Sequence, residues 1–358
     1  LQLPAAGVAL LHQLLYQGLG EHKYRYGLPL HAAPTIRVTG GPPVVPAPVA
    51  GHPRVLLCNG GGKDTAVAAE LLKEAGQPFS WFCLGHSPAM QRLMEVAGEP
   101  GSIVFTKGRR SSASIRYPGH KPFSAILFFA ALLPAYVRGF DRITVGNEYS
   151  SECPNLTRAG FAVNHQYAKS FAFEQLFQAY AAQLLPGVRV FSLLRPFGEL
   201  QLLRRLAEYP QYLAQFVSCN NYNYQDRWCG RCAKCVFTYL AARVFGLPRL
   251  AAAISGPDTA GYPDSAPFRR MVATLAEARV KPFDCIGNAA EIVWLLHQYH
   301  RHCQPLPAAV TAQLPPPAAA AELAAWHARP QQMPAALYQS LRLHDRFDLT
   351  VPAPALAP

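Results

Sequence analysis

Charge is scarce in this 358-residue chain: 15% of its residues are Asp, Glu, Lys or Arg, against 50% hydrophobic. That balance describes an ordinary globular protein with enough apolar side chains for one large core or two modest ones. Long uninterrupted apolar runs are also missing. The stretch "FSAILFFAALLPAYVRGF" (123–140) is broken by Pro134, and no run reaches the roughly 18–20 apolar residues of a membrane span, so the segment reads as a buried helix. The first residues, "LQLPAAGVALLHQLLYQGLGEHKYRYGL", have neither an initiator Met nor the basic-then-apolar layout of a signal peptide. The chain is therefore expected to be a fragment, with residues 1–50 a helix and linker ending a longer N-terminal region. No internal repeat is evident.

Acidic residues are the scarcer sign, 21 against 33 Lys and Arg, giving a net charge of +12. The basic residues are scattered, densest in "KGRRSSASIR" (107–116). Such a charge suits nucleic acid, polyphosphates and acidic substrates equally.

Cysteine is not scarce. Four of the nine, Cys219, Cys229, Cys232 and Cys235, stand as C-x9-C-x2-C-x2-C. Two C-x2-C pairs sharing Cys232 cannot all be disulfides without strain, whereas four thiolates fill a tetrahedral Zn²⁺ shell. The spacing predicts a structural zinc in a reducing, cytoplasmic setting, with an iron–sulfur cluster as the alternative. The neighbouring Tyr222, Tyr224 and Trp228 are either helix-packing aromatics or a stacking surface for a base.

Hydrophobic patterning predicts strands at 53–59, 79–84, 102–105, 142–147 and 188–194, alternating with helices at 63–76, 87–97, about 124–139 and about 170–184. Alternation of this kind implies crossover units and a doubly wound α/β fold with a buried parallel sheet over 51–196. Helices around the cysteines suggest a helical, metal-stapled subdomain over 197–303. The Pro- and Ala-rich segment 304–358 is expected to form isolated helix pieces between mobile linkers.

Between the first strand and its helix stands "LLCNGGGKDTAVAAELLKEAG" (56–76). A glycine loop entering a helix points unpaired backbone N–H groups at one spot and makes an anion site. The Walker A spacing G-x-x-x-x-G-K-[ST] is absent, as is G-x-G-x-x-G. What remains, Asn59-Gly60-Gly61-Gly62-Lys63-Asp64-Thr65, resembles the S-G-G-x-D-S loop of the ATP pyrophosphatases, which split ATP between the α and β phosphates. In that resemblance the glycines admit the leaving pyrophosphate and Lys63 supplies positive charge. Thr65 supplies a hydroxyl and Asp64 a Mg²⁺ contact.

Further motifs occur in order: "LLYQGLGEHKYRYGL" (14–28), "GNEYSS" (146–151), "PNLTRAGFAVNHQYAKSFAFE" (154–174), "RWCGRCAKCVFTYLA" (227–241) and "KPFDCIGNAAE" (281–291). With the loop, they resemble the UDP-N-acetylmuramoyl-L-alanyl-L-glutamate epimerases of bacterial peptidoglycan precursor synthesis over about residues 14–300. The resemblance implies a sheet of the ATP pyrophosphatase (adenine nucleotide α-hydrolase-like) type. It also implies use of ATP and Mg²⁺, a nucleotide-sugar dipeptide substrate, and inversion of its terminal L-glutamate with release of AMP and pyrophosphate. The pattern departs from the family at Asn59, Thr65 and "PGHKPFSA" (118–125), which leaves a paralogue acting on another carboxylate open. A 7-cyano-7-deazaguanine synthase-like enzyme and a tRNA-modifying one remain rivals, although nucleic acid is the less favoured partner.

Candidate site residues follow from position and polarity. Asn147, Glu148, Ser150 and Ser151 follow a strand's carboxyl end, where doubly wound folds bind ligands, and are read as substrate or metal contacts. Asn164, His165, Gln166 and Lys169 pack four polar side chains into six residues, with His165 and Lys169 on one face if the segment is helical. His165 and Lys169 are expected to be acid–base groups with His120, while Asn164 and Gln166 contact substrate. Cys285 is read as either an inverting thiol near the substrate or a small core residue.

Overall fold

The computed structural model describes residues 3–38, 45–49, 52–99, 101–105, 122–222, 225–277, 281–325, 329–341 and 347–352. His120 and Tyr224 lie outside these residues. Five strands, β1 (His52–Cys58), β2 (Phe79–Leu84), β3 (Ser102–Phe105), β4 (Phe140–Val145) and β7 (Arg189–Ser192), form one parallel sheet in the order β3-β2-β1-β4-β7. A short antiparallel pair, β5 (Leu156–Arg158) and β6 (Phe161–Val163), stands apart from it.

Alternation along β1 shows why the sheet is wound on both sides. Val55 and Leu57 join one buried cluster with α3 (Lys63–Glu74), α4 (Pro88–Ala97) and α7 (Glu199–Leu206). Leu56 and Cys58 join another with α1 (Ala5–Tyr16), α5 (Phe123–Arg138) and α6 (Phe171–Leu184). Successive side chains of a strand point to opposite faces, so a strand buried on both faces reads as a continuous apolar run. The predicted doubly wound sheet is present, with strand ends shifted by one or two residues. α2 (Gly20–Arg25) follows α1, and α5 runs through Pro134, which is buried.

Beyond α7 come α8 (Ala233–Val244), α9 (Pro248–Ser255), α10 (Ala266–Ala276) and α11 (Ala289–His302), whose apolar faces extend the first cluster without a break. The segment after residue 304 departs from the mobile linkers expected of its composition. Its short helices α12 (Ala308–Thr311), α13 (Ala320–Leu323) and α14 (Ala335–Ser340) bury Val310, Leu323 and Leu337 in that cluster. Phe347 stacks on Phe197 at 3.5 Å between ring centroids. Spaced Leu, Val and Phe side chains, rather than Pro and Ala content, decide the outcome, because each gains by leaving water.

The chain runs from β1 through β2 to β3 on one side and returns as β4 on the other. The crevice outside the carboxyl ends of β1 and β4 is thus the topological switch point, where such sheets bind ligands. No helix among the described residues is long and apolar enough to cross a membrane.

The second cluster hinges on Phe177, fully buried with ring centroids of Phe128 and Phe129 at 5.1 and 5.0 Å. Phe177→Ala should cost about 3–5 kcal/mol of unfolding free energy by urea titration. A loss under about 1 kcal/mol would contradict this packing.

Candidate active site

Strand β1 delivers the chain into Asn59–Gly62 and straight into α3. Gly61 has φ +74°, a left-handed conformation natural to glycine, and a Cβ there would lie 3.2 Å from the Met90 nitrogen. Asn59 pins the turn: its Nδ2 donates to the Met90 carbonyl at 3.1 Å and its Oδ1 accepts from the Gly61 N–H at 2.8 Å. The Gly60 N–H donates to Thr65 Oγ1 at 3.1 Å. Gly62 caps α3 without a side chain, which leaves first-turn N–H groups of the helix for a ligand. Gly146 follows β4, and a Cβ there would sit 3.0 Å from that of Asp64. The missing side chain lets the first turn of α3 close on the end of β4.

A charged constellation sits at this edge. Lys63 is buried, its Nζ 2.9 Å from Glu199 and in contact with Asp64. Burial disfavours its charge, but Asp64, Glu199 and Glu148 more than offset this and hold the ammonium above its ordinary range. Asp64, Glu148 and Glu199 each offer a carboxylate oxygen within 4.8 Å of the others. Burial would push Glu148 up, yet Lys169, Lys63 and Lys281 pull it below the usual carboxylate value. Its Oε2 is buried with no hydrogen-bond partner among the described residues. Burial pushes the Glu199 pKa up to about 8. An ionised Glu148 with a bare oxygen, beside the carboxyl groups of Asp64 and Glu199, suits a divalent cation bound through oxygen.

The polar motif that follows is not one helix. Only Tyr167–Lys169 form a single 3-10 turn, and His165 precedes it. The helical i, i+4 relation is replaced by convergence on Cys285: its Sγ lies 3.7 Å from His165 Nε2 and 3.9 Å from Lys169 Nζ. Asn155 Oδ1 lies 3.0 Å from His165 Nδ1 and accepts from the His165 backbone N–H at 2.9 Å. Burial, with the charges of Lys281 and Lys169, lowers the His165 pKa to about 3, so its imidazole is neutral. Lys169 is held above its ordinary range: burial opposes its charge, and Cys285, Glu148 and Asp64 outweigh that.

Other predicted residues serve the fold around this centre. Ser150 Oγ donates to Glu291 at 2.5 Å and accepts from the Glu199 N–H at 2.9 Å, which fixes the start of α7. Ser151 Oγ donates to the Glu148 carbonyl at 2.6 Å. Asn164 binds the Ser151 carbonyl through Nδ2 and the Gln166 N–H through Oδ1. Gln166 Oε1 accepts from Lys281 Nζ at 3.1 Å. Asn147, by contrast, lines an open cleft of about 1230 Å³ with Gly60, Asp64, Thr65 and Lys169, and its buried Nδ2 has no partner among the described residues. Sequence reading missed Glu199, Asn155 and Lys281. Lys281 and Asn155 stand inside quoted motifs, whereas Glu199 follows "RPFG" beyond the last strand with no distinguishing signal.

The far wall of the cleft is formed by Val217, Ser218, Cys219, Asn220 and Lys234. The four sulfurs of Cys219, Cys229, Cys232 and Cys235 lie within 4.8 Å of one another, two pairs at 3.4 and 3.7 Å. Those separations exceed a disulfide bond and approach the about 3.8 Å between sulfurs of a tetrahedral zinc site. Backbone N–H groups of Tyr222 and Cys232 point at the Cys219 and Cys229 sulfurs, 3.3 and 3.4 Å away, as expected for thiolate ligands. Arg227 covers the Tyr222 ring and Trp228 packs edge-on against Phe216, which favours a packing role for both aromatics.

Comparison with known proteins shows the family. Residues 1–193 match the MurL N-terminal domain and residues 215–327 the MurL C-terminal domain. A UDP-N-acetyl-alpha-D-muramoyl-L-alanyl-L-glutamate epimerase of Xanthomonas oryzae pv. oryzae is 32% identical over 302 residues, covering 81% of this chain and 66% of the relative. Proteins of the same name from Salinispora tropica and a Micromonospora species are each 30% identical, covering 82% of this chain and 67% and 68% of theirs. The chain thus spans about two thirds of the length of these curated relatives.

The neutral His165 has a pH consequence. Its folded pKa lies below the unfolded value of about 6.5, so the unfolded chain takes up the proton first. Its contribution to stability is complete above pH 6.5 and is lost as pH falls toward 3, by up to about 1.4 kcal/mol per unit. Urea titrations from pH 7 to 4.5 should show a shallower loss for His165→Gln than for the parent. Equal slopes would contradict a buried neutral imidazole.

Proposed function

The chain belongs to the MurL family, and on that premise we propose that it is an ATP-dependent epimerase. It inverts the terminal L-glutamate of UDP-N-acetylmuramoyl-L-alanyl-L-glutamate through an adenylated carboxylate, releasing AMP and pyrophosphate. One observation carries this reading: the glycine loop and Asp64 of the carboxylate cluster line one cleft with Lys169, whose ammonium lies 3.9 Å from Cys285 Sγ, itself 3.7 Å from His165 Nε2. The names of the relatives supply the substrate.

The α-proton beside a carboxylate is very weakly acidic, because removing it places a second negative charge beside the first. Adenylation turns the carboxylate into a mixed anhydride whose carbonyl takes up the developing charge. The residues divide accordingly. Backbone N–H groups of the Gly60–Gly62 loop and the start of α3 hold the leaving pyrophosphate, with Lys63 behind them. Asp64 and Glu148, with Glu199 beside them, fit Mg²⁺, which would neutralise phosphate charge as the α–β bond breaks. Asn147 offers its free amide to the substrate. His165, Lys169 and Cys285 face the acyl half, where the α-proton leaves and a proton returns on the opposite face before hydrolysis. His120 remains a further acid–base candidate from sequence.

Cys219, Cys229, Cys232 and Cys235 hold one structural Zn²⁺ in this account and stiffen the far wall of the cleft. Both the ATP demand and the cluster of free thiols suit the cytoplasm.

With MgATP and the dipeptidyl nucleotide, the protein should release pyrophosphate and AMP and yield the D-glutamyl product. Asp64→Asn should slow pyrophosphate release about 100-fold or more without lowering the melting temperature. ADP and phosphate as products would overturn the assignment. Metal analysis should find about one zinc per chain, and Cys232→Ser should lose it and melt earlier. Zinc-free protein of unchanged stability would refute the structural-zinc assignment.

A further inference from the structure

Asn155 sits between two polypeptide segments and controls what His165 can do. Its Nδ2 donates to the Lys281 and Pro282 carbonyls, at 3.2 and 2.8 Å. Since both partners are acceptors, the amide orientation is determined, and the atom facing His165 is Oδ1. Nδ1 of His165 therefore carries the hydrogen, and the lone pair on Nε2 faces Cys285 Sγ, 3.7 Å away. Lys169 Nζ lies 3.9 Å from the same sulfur and also lines the cleft containing the glycine loop. The amide of Asn147, unpartnered among the described residues, lines the same cleft and marks it as a ligand site. A thiol within 4 Å of an ammonium and of an oriented, neutral imidazole is equipped to act on carbon.

We propose that Cys285, as a thiolate paired with the Lys169 ammonium, is the group that takes the α-proton from the activated glutamate, and that Asn155 is a positioning residue that fixes the tautomer of the neutral His165 against it. The proposal rests on the epimerase reading above. The thiol's own proton leaves to solvent, and the thiolate stands beside the Lys169 ammonium. The Cα–H bond then breaks as a new S–H bond forms, and the electron pair moves into the activated carbonyl. Water protonates the opposite face of Cα, and the hydroxide left behind takes the S–H proton. Thiolate and water are restored, and the product carries a solvent hydrogen.

The test uses the whole chain with MgATP and UDP-N-acetylmuramoyl-L-alanyl-L-glutamate in deuterium oxide, following first-turnover pyrophosphate release and deuterium at the glutamate α-position. The parent should show both. Cys285→Ser and Cys285→Ala should keep most of the first-turnover pyrophosphate while losing deuterium incorporation about 100-fold or more. Incorporation within threefold of the parent would overturn the proposal while leaving the epimerase reading intact. Loss of pyrophosphate release in both variants, with unchanged melting, would place the thiol in substrate binding and also overturn it. A parent that shows neither signal would refute the epimerase reading, and this proposal with it. Asn155→Leu should lower incorporation about tenfold with pyrophosphate release retained. Asn155→Asp should restore most of it, because a carboxylate oxygen still accepts from Nδ1–H. An aspartate variant as poor as the leucine one would overturn the positioning role.

Discussion

The Lys63 ammonium, buried between Glu199 and Asp64 at the carboxyl edge of the sheet, is the contact on which the rest of the site depends. Three carboxylates within 4.8 Å would repel one another without it, and Lys169 and Lys281 add to the attraction felt by Glu148. A buried charge left alone costs several kcal/mol, so these groups are held as a set or not at all. The set also ties together three parts of the chain: Lys63 and Asp64 open α3, Glu148 follows β4, and Glu199 opens α7. Glu291 on α11 secures the last of these, accepting from Ser150 Oγ and from the Leu200 N–H. Charge balance at the strand ends is thus coupled to helix docking on the sheet.

A second coupling joins the cysteine cluster to the acyl half of the cleft. Asn220 follows Cys219 and hydrogen-bonds Asp284, the neighbour of Cys285. Ser218, one residue before Cys219, lies where a Cβ on Gly62 would come within 3.1 Å of its hydroxyl. The knuckle therefore touches the phosphate loop with one residue and the Cys285 loop with another. A metal that rigidifies it would set the distance between the proposed activating and proton-transferring halves of the reaction.

Much of this was legible in sequence, and the limits have physical reasons. The sheet could be read because strands buried on both faces leave continuous apolar runs such as "RVLLC", and the loop because its glycines interrupt the pattern, Gly61 with a left-handed φ that favours glycine. In the polar run "VNHQYAKS" the helical spacing expected of His165 and Lys169 does not hold. Its side chains are aimed by Asn155, Lys281 and Cys285, whose proximity depends on long-range contacts that no local pattern encodes. Glu199 was hidden for the same reason, since an acidic residue opening a helix is ordinarily only a favourable dipole contact. The Pro- and Ala-rich tail misled through composition: Leu337, Leu341 and Phe347 are few but buried, and they pack the segment onto α7 and its neighbours.

The central claim is that the glutamate carboxylate is joined to AMP before its stereocentre inverts. The most direct measurement follows oxygen: the dipeptidyl nucleotide, labelled with ¹⁸O in the α-carboxylate of its terminal glutamate, is turned over with MgATP and the AMP is weighed by mass spectrometry. An adenylated carboxylate hydrolysed at its carbonyl carbon leaves one substrate oxygen on phosphorus, so the AMP should carry a single ¹⁸O. Inverted product accompanied by unlabelled AMP, or by no AMP, would contradict the account.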